Sequence, residues 1–323
     1  MCGSTAALLD LMICRVPGLS GQERIELEKK FDSEDDFSIL EKGDIERILG
    51  RTIRGPSWTR FEIRAAAEKD AEAALKCGMR LVSWREGEYP PLLREIYDPP
   101  ALLFYRGTLP DAEKPLAAIV GTRKPSSLAA ERAFTLGREL GEAGLSVVSG
   151  LALGIDAMAH RGNIEGGAAT IAVLGSGVDY VYPVSNRDLA RRIVETGGAV
   201  LSEYPPGTGP RKHHFPARNR IISALARGTV IVEAPEKSGA LITAAFALEH
   251  GRDLWVDRAG LDSAGAGRLA EQGAGVIDSA KDILAEWNLA GSKRKDAAHN
   301  AARDNTTGTG LAASLAEYLD IKL

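Results

Sequence analysis

Between residues 116 and 288 the chain alternates short, β-branched apolar runs with longer stretches of helical periodicity. The strand candidates are 116–120, 146–149, 170–174, 199–202, 229–233 and 253–256. The helical stretches between them are 128–143, 155–165, 187–196, 218–226 and 240–250. Such alternation predicts an α/β fold, an extended Rossmann-like, doubly wound and mostly parallel sheet with helices on both faces. In such sheets ligands bind beyond the carboxyl ends of the strands, so the loops at those ends are where function is sought.

The flanks read differently. Residues 1–82 carry apolar residues at helical spacing, such as Leu8, Leu11 and Met12 and then Ile45, Ile48 and Leu49, and predict a small helical N-terminal domain. Within it, Val16-Pro17-Gly18-Leu19-Ser20 approximates a helix-hairpin-helix turn, with Ser20 where the second glycine usually stands; a plain Pro-Gly connection is the favoured reading. Residues 83–115 form a proline-rich lead-in whose apolar segment 101–105 is expected to add a strand to the following domain, which runs to residue 288. The tail, 289–323, begins polar and is too short for a full winged-helix domain; it is expected to be disordered or to hold one short helix at 311–319.

A chain of 323 residues allows about two or three domains, and its formal net charge of −4 rules out a general polycation that coats nucleic acid. Cys2, Cys14 and Cys77 show no CxxC spacing, so neither a zinc site nor a disulfide framework is expected. The N-terminal apolar stretch lacks a preceding Lys or Arg and is interrupted by Asp10, and no run is long enough to span a bilayer. A cytoplasmic protein with no membrane contact is expected.

The strand ends are unusual. After the first strand comes Gly121-Thr122-Arg123-Lys124-Pro125-Ser126-Ser127: a glycine for close approach, an arginine fork, and a capping serine at the following helix. After the second come Ser149-Gly150 and Gly154-Ile155-Asp156, with His160 one helical turn beyond Asp156. That pair is either a ligand or catalytic pair, or a capping Asp beside a His satisfied elsewhere. The third strand ends in Gly175-Ser176-Gly177 and then Tyr182-Pro183, and the fifth leads to Ser238-Gly239 at a helix start, a natural anion seat. None of these is GxGxxG or GxxxxGK[ST], which disfavours ordinary NAD binding and P-loop NTPase activity.

The fourth strand is followed by a stretch free of acids from Pro205 to Arg220. It contains Arg211, Lys212, His213, His214 and then Phe215-Pro216-Ala217-Arg218-Asn219-Arg220. Cations for phosphates, an aromatic face for a base and a helix opening together suit a single-stranded phosphodiester chain. No convincing nucleophile–base pair accompanies them. Binding is therefore expected rather than catalysis, with no catalytic residue, no metal and no cofactor.

Taken in order, Gly121-Thr122-Arg123, Ser149-Gly150 with Gly154-Ile155-Asp156 and Ala159-His160, Gly175-Ser176-Gly177 with Tyr182-Pro183, Phe215-Pro216 with Arg218-Asn219-Arg220, and Ser238-Gly239 with Thr243-Ala244 resemble the DprA/Smf family, the DNA-processing proteins of bacterial natural transformation. Tyr89-Pro90, Asp98-Pro99-Pro100 and Gly107 resemble that family's lead-in, and the likeness covers about residues 85–288. It implies a homodimer that binds single-stranded DNA, helps load a RecA-type recombinase and turns over no substrate. It carries DNA contact onto Arg123, Lys212, Phe215 and Arg218, with Asn219 and Arg220 in the same motif as contacts or braces. Gly121, Thr122, Ser149, Gly150, Ser238 and Gly239 complete the expected DNA-binding set. Thr122 stands where the family commonly has Ser, and Asp257-Arg258 and Gly267 stand where it usually has a Pro-Gly turn and an Asn. An alternative is a nucleotide-derivative binding protein or phosphoribohydrolase using Asp156, His160 and Glu233. Against it, Ala234-Pro235-Glu236-Lys237-Ser238-Gly239 replaces that group's PGGxGTxxE.

Overall fold

In the computed structural model residues 5–289 are described, with side chains from Leu8 onward. The expectations for the tail beyond residue 289 lie outside the described residues. Five helices come first: α1 (Thr5–Arg15), α2 (Gly21–Lys30), α3 (Glu34–Ser38), α4 (Lys42–Leu49) and α5 (Arg60–Lys76). Strand β1 (Arg80–Ser83), helix α6 (Pro91–Arg94) and strand β2 (Leu102–Gly107) lead into the alternating region. There the order is β3 (Ala117–Val120), α7 (Ser127–Glu142), β4 (Val147–Ser149), α8 (Ile155–Glu165), β5 (Ile171–Val173), α9 (Arg187–Glu195), β6 (Ala199–Ser202) and α10 (His214–Leu225). It continues with β7 (Gly228–Ile231), α11 (Gly239–Glu249), β8 (Asp253–Asp257), α12 (Ala264–Glu271), β9 (Gly275–Ile277) and α13 (Ala280–Glu286).

The strands form one sheet in the order β1-β2-β6-β5-β4-β3-β7-β8-β9. From β6 to β9 all pairs are parallel; β2 runs antiparallel to both β6 and β1. The lead-in thus adds the expected strand, with Phe104 opposite Ser202. β1 and β9, each of four residues or fewer, were not anticipated: β1 follows directly on a long helix after the left-handed turn at Gly78.

Alternation along each strand divides the core. In β3, Ala118 and Val120 face α10, α11 and α12 through Ile221, Leu241 and Leu269, whereas Ala117 and Ile119 face α7 and α8 through Leu136 and Ile155. The N-terminal helices cover the second face near the other edge, where Leu9 and Met12 join Leu102, Phe104 and Val200 in one cluster. Order along the sheet reverses between β3 and β7, which lie side by side with Val120 opposite Ile231. Their carboxyl ends make the switch point at which such sheets bind ligands.

The Pro17-Gly18 turn connects α1 to α2. Gly18 has φ +76°, and a Cβ there would come within 2.0 Å of the Arg54 carbonyl oxygen. Ser20 caps α2 reciprocally with Glu23, and the Gly21 amide donates to the Asp98 carboxylate at 2.7 Å. The Ser20 and Gly21 amides of this turn are therefore engaged within the chain.

Candidate nucleic-acid interface

A groove of about 810 Å³ opens over the switch point. Its β3 wall is the turn 121–124. Gly121 is required there, because a Cβ would lie 2.6 Å from Ile155 Cγ1 and 2.9 Å from the Glu233 carbonyl oxygen. The turn is tied down twice: the Thr122 amide donates to the Glu233 carbonyl at 2.8 Å, and the Glu233 carboxylate accepts from the Ser126 amide and hydroxyl at 3.0 and 2.8 Å. Arg123 and Lys124 project from this fixed turn into the groove lining.

Across from it lies the opening of α11. Ser238 accepts from the Ala240 amide and is buried by that cap, while Gly239 is exposed with open space around it. Lys237 lines the groove immediately before it. Between these walls runs the first half of α10, which starts at His214, four residues earlier than sequence reasoning placed the helix. Pro216 is compatible with that start because a first-turn residue needs no amide donor. Phe215 therefore sits in the first turn. Its ring packs on Gly175, lies 5.6 Å from the Tyr182 ring and has the Arg123 guanidinium over it at 5.5 Å. Lys212 is exposed just before the helix.

The cations of the motif separate by burial. Arg218 is only 3% exposed, and its Nη1 donates to the carbonyls of Gly150, at 2.8 Å, and Val173. Burial brings its pKa down to about 10, with Asp156 opposing that shift, so it stays charged near neutrality. Gly150 must be a glycine, because a Cβ there would lie 2.5 Å from the Arg218 guanidinium. Arg218, expected to hold phosphate, is instead a pin in the groove floor. Arg220 is not among the groove-lining residues at all. Its guanidinium is bidentate to Glu203 at 2.8 and 2.7 Å and donates from Nε to the Asp98 carbonyl at 3.0 Å. Asn219 lines the groove and ties α10 to α11 through the Gly239 carbonyl at 3.1 Å. Ser149, expected at the site, is fully buried and donates to the Ile119 carbonyl at 2.6 Å.

Asp156 is the acid among the lining residues, and it is already used: its carboxylate accepts from the Gly150 and Ala152 amides at 3.1 and 3.4 Å. Burial raises its pKa, offset by Arg218. His160 has a different partner, Thr170 Oγ1 at 2.8 Å, and burial pushes its pKa down to about 3, so it is a neutral core residue. The two do not form a working pair. Lys124, Lys237 and Tyr182 were missed as site residues; all three lie in strand-end loops that the sequence had marked, and their position there was the available signal.

Residues 80–288 match the family model described as DNA recombination-mediator protein A. The chain belongs to that family. A relative named DNA processing protein DprA from Streptococcus pneumoniae is 45% identical over 204 residues, covering 62% of this chain and 72% of its own. Its namesake in Bacillus subtilis is 40% identical over 244 residues (71% and 82%). Protein Smf of Borreliella burgdorferi is 32% identical over 283 residues (86% and 88%). Among solved structures, DprA from S. pneumoniae superposes with a TM-score of 0.67 at 35% identity, covering 88% of this chain and 99% of that one. DNA processing protein A from Helicobacter pylori, whose structure concerns a single-stranded DNA binding mode, has a TM-score of 0.57 at 30% identity over 65% of this chain and 95% of its own.

Within this DNA recombination-mediator fold, the departure after β8 has a local explanation. Asp257 is fully buried, takes both Arg132 nitrogens at 3.2 and 2.9 Å and accepts the Ala259 amide at 3.0 Å. Arg258 pairs outward with Asp278. Neither lines the groove. Among the described residues no group of His, Cys, Asp or Glu is arranged to hold a metal, and no helix is long and apolar enough to cross a membrane.

Proposed function

We propose that this chain binds single-stranded DNA in the groove over the switch point and, as a cytoplasmic homodimer, helps to load it onto a RecA-type recombinase during transformation or recombination, without chemical turnover. The observation that carries the reading is the groove itself: exposed Arg123, Lys124, Lys212 and Lys237 stand around the open N-terminus of α11, beside the Phe215 and Tyr182 rings. Cations and a helix N-terminus suit phosphates, and rings suit unstacked bases. The H. pylori relative's single-stranded DNA binding mode supports the same assignment. The hydrolase alternative is weakened because Asp156, His160 and Glu233 are each bound within the fold.

The test is a salt-titrated binding assay with single- and double-stranded oligonucleotides. Single strands should bind more tightly than duplex, and Phe215→Ala should cost about 1–3 kcal/mol on single strands. Arg123→Ala should weaken binding and flatten the log–log salt slope by about 0.7. Unchanged affinity in both variants would overturn the groove assignment; release of free base from nucleoside monophosphates would favour the hydrolase.

A further inference from the structure

Asp98 sits where three parts of the molecule meet. Its Oδ1 accepts the Gly21 amide at the opening of α2, at 2.7 Å. Its Oδ2 lies 3.3 Å from Arg220 Nε on the groove helix α10, and its carbonyl accepts from the same nitrogen at 3.0 Å. Arg220 is in turn held by Glu203, just beyond β6, at 2.7 Å. Its side chain is 11% exposed and that of Glu203 17%, so solvent screens this pair weakly, whereas the Asp98 side chain is 39% exposed and its ion pair with Arg220 is screened more. The joint is also tight sterically: a Cβ on Gly21 would come 2.1 Å from the Pro99 carbonyl oxygen.

We infer that Asp98 is a positioning residue that couples the DNA groove to the N-terminal helical unit. This inference rests on the proposed binding of single-stranded DNA. Phe215 and Arg220 lie on one helix, about 7.5 Å apart along its axis. A strand that restrains the first turns of α10 restrains Arg220 and, through the Asp98 carboxylate, the α2 opening at Gly21. By linkage, an intact joint at Gly21 favours the α10 position that binds DNA. Arg220 contributes through this joint and neutralises no phosphate.

The experiment compares wild type, Asp98→Asn, Gly21→Ala and Arg123→Ala, reading single-strand affinity against salt and amide exchange around residues 20–25 with and without an oligonucleotide. Asp98→Asn keeps the volume and removes the charge; Gly21→Ala opens the same joint from the other side without touching Arg220. In wild type the oligonucleotide should slow exchange at the α2 opening. In Asp98→Asn and Gly21→Ala that slowing should be lost, and affinity should fall about fivefold with the salt slope unchanged. Slowing that persists in both variants, or a slope that falls by a full phosphate in Asp98→Asn, would overturn the coupling. Failure of the binding reading is separate: it would appear as Arg123→Ala binding like wild type.

Discussion

At the scale of single residues, what a cation does in this protein is decided by its burial. Arg123 is offered to the groove, whereas the buried Arg218 has its Nη1 committed to two strand-end carbonyls. The two substitutions should therefore separate. Arg218→Ala strands two carbonyls and the buried Asp156 carboxylate, and should cost about 3–5 kcal/mol in denaturant unfolding. Arg123→Ala should leave the unfolding midpoint within about 0.5 kcal/mol of wild type while weakening DNA binding. The sequence showed Arg218 and Arg220 beside Phe215 but could not show which way each faces. On a helix, neighbours two apart point to different sides, and α10 has the floor of the groove on one side and Asp98 on another.

At the scale of elements, the groove depends on turns with no space to spare. Gly121→Ala would force a methyl against Ile155 and the Glu233 carbonyl; a loss of about 1–3 kcal/mol is expected, together with weaker single-strand binding as Arg123 is displaced. Thermal melts and the oligonucleotide assay check the two effects separately. The central strands and α7, α8, α9 and α11 were legible in the sequence nearly to their ends, because each strand is a buried apolar run and each helix has its own periodicity. β1, β9, α6, α12 and α13 were not: β1 and β9 are half exposed and lack the continuous buried apolar run of the central strands, and the helices among them are short. The early start of α10 was hidden by Pro216, which reads as a helix breaker until its place in the first turn is known.

At the scale of the whole molecule, the seam between the N-terminal helices and the lead-in carries buried acids. Asp10 and Glu28 are 1% and 2% exposed, and neither Glu28 oxygen has a hydrogen-bond partner. Burial raises Asp10 to about 6, with Arg85 and Ser83 opposing it and Glu86 adding to it. Burial raises Glu28 to about 8, with Asp10 and Glu86 adding and Arg85 and Arg24 opposing. Carboxyls whose pKa rises on folding stabilise the fold fully below the ordinary carboxylate range, and that stabilisation is lost as pH climbs through the folded values. These two groups should thus contribute a loss of stability from about pH 4 to 8, which the buried His160 and the half-buried His250, both neutral, oppose up to about pH 6.5. Glu28→Gln should flatten the upper part of that fall, between about pH 6 and 8, leaving the Asp10 portion; denaturant unfolding at a series of pH values reads both.

The sequence by itself determined the α/β class and put the exposed Arg123 and the half-buried Phe215 at the strand ends that line the groove. Those follow from local properties: periodicity, turn chemistry and residue type. Only the tertiary structure decided that Ser149 is core, that Arg218 is a floor pin and Arg220 a brace, and that Lys124, Lys237 and Tyr182 belong to the groove. Each of those assignments depends on which distant segment a side chain meets, such as Val173 for Arg218, Asp98 for Arg220 and Ile119 for Ser149, and such long-range contacts leave no periodic trace in the chain.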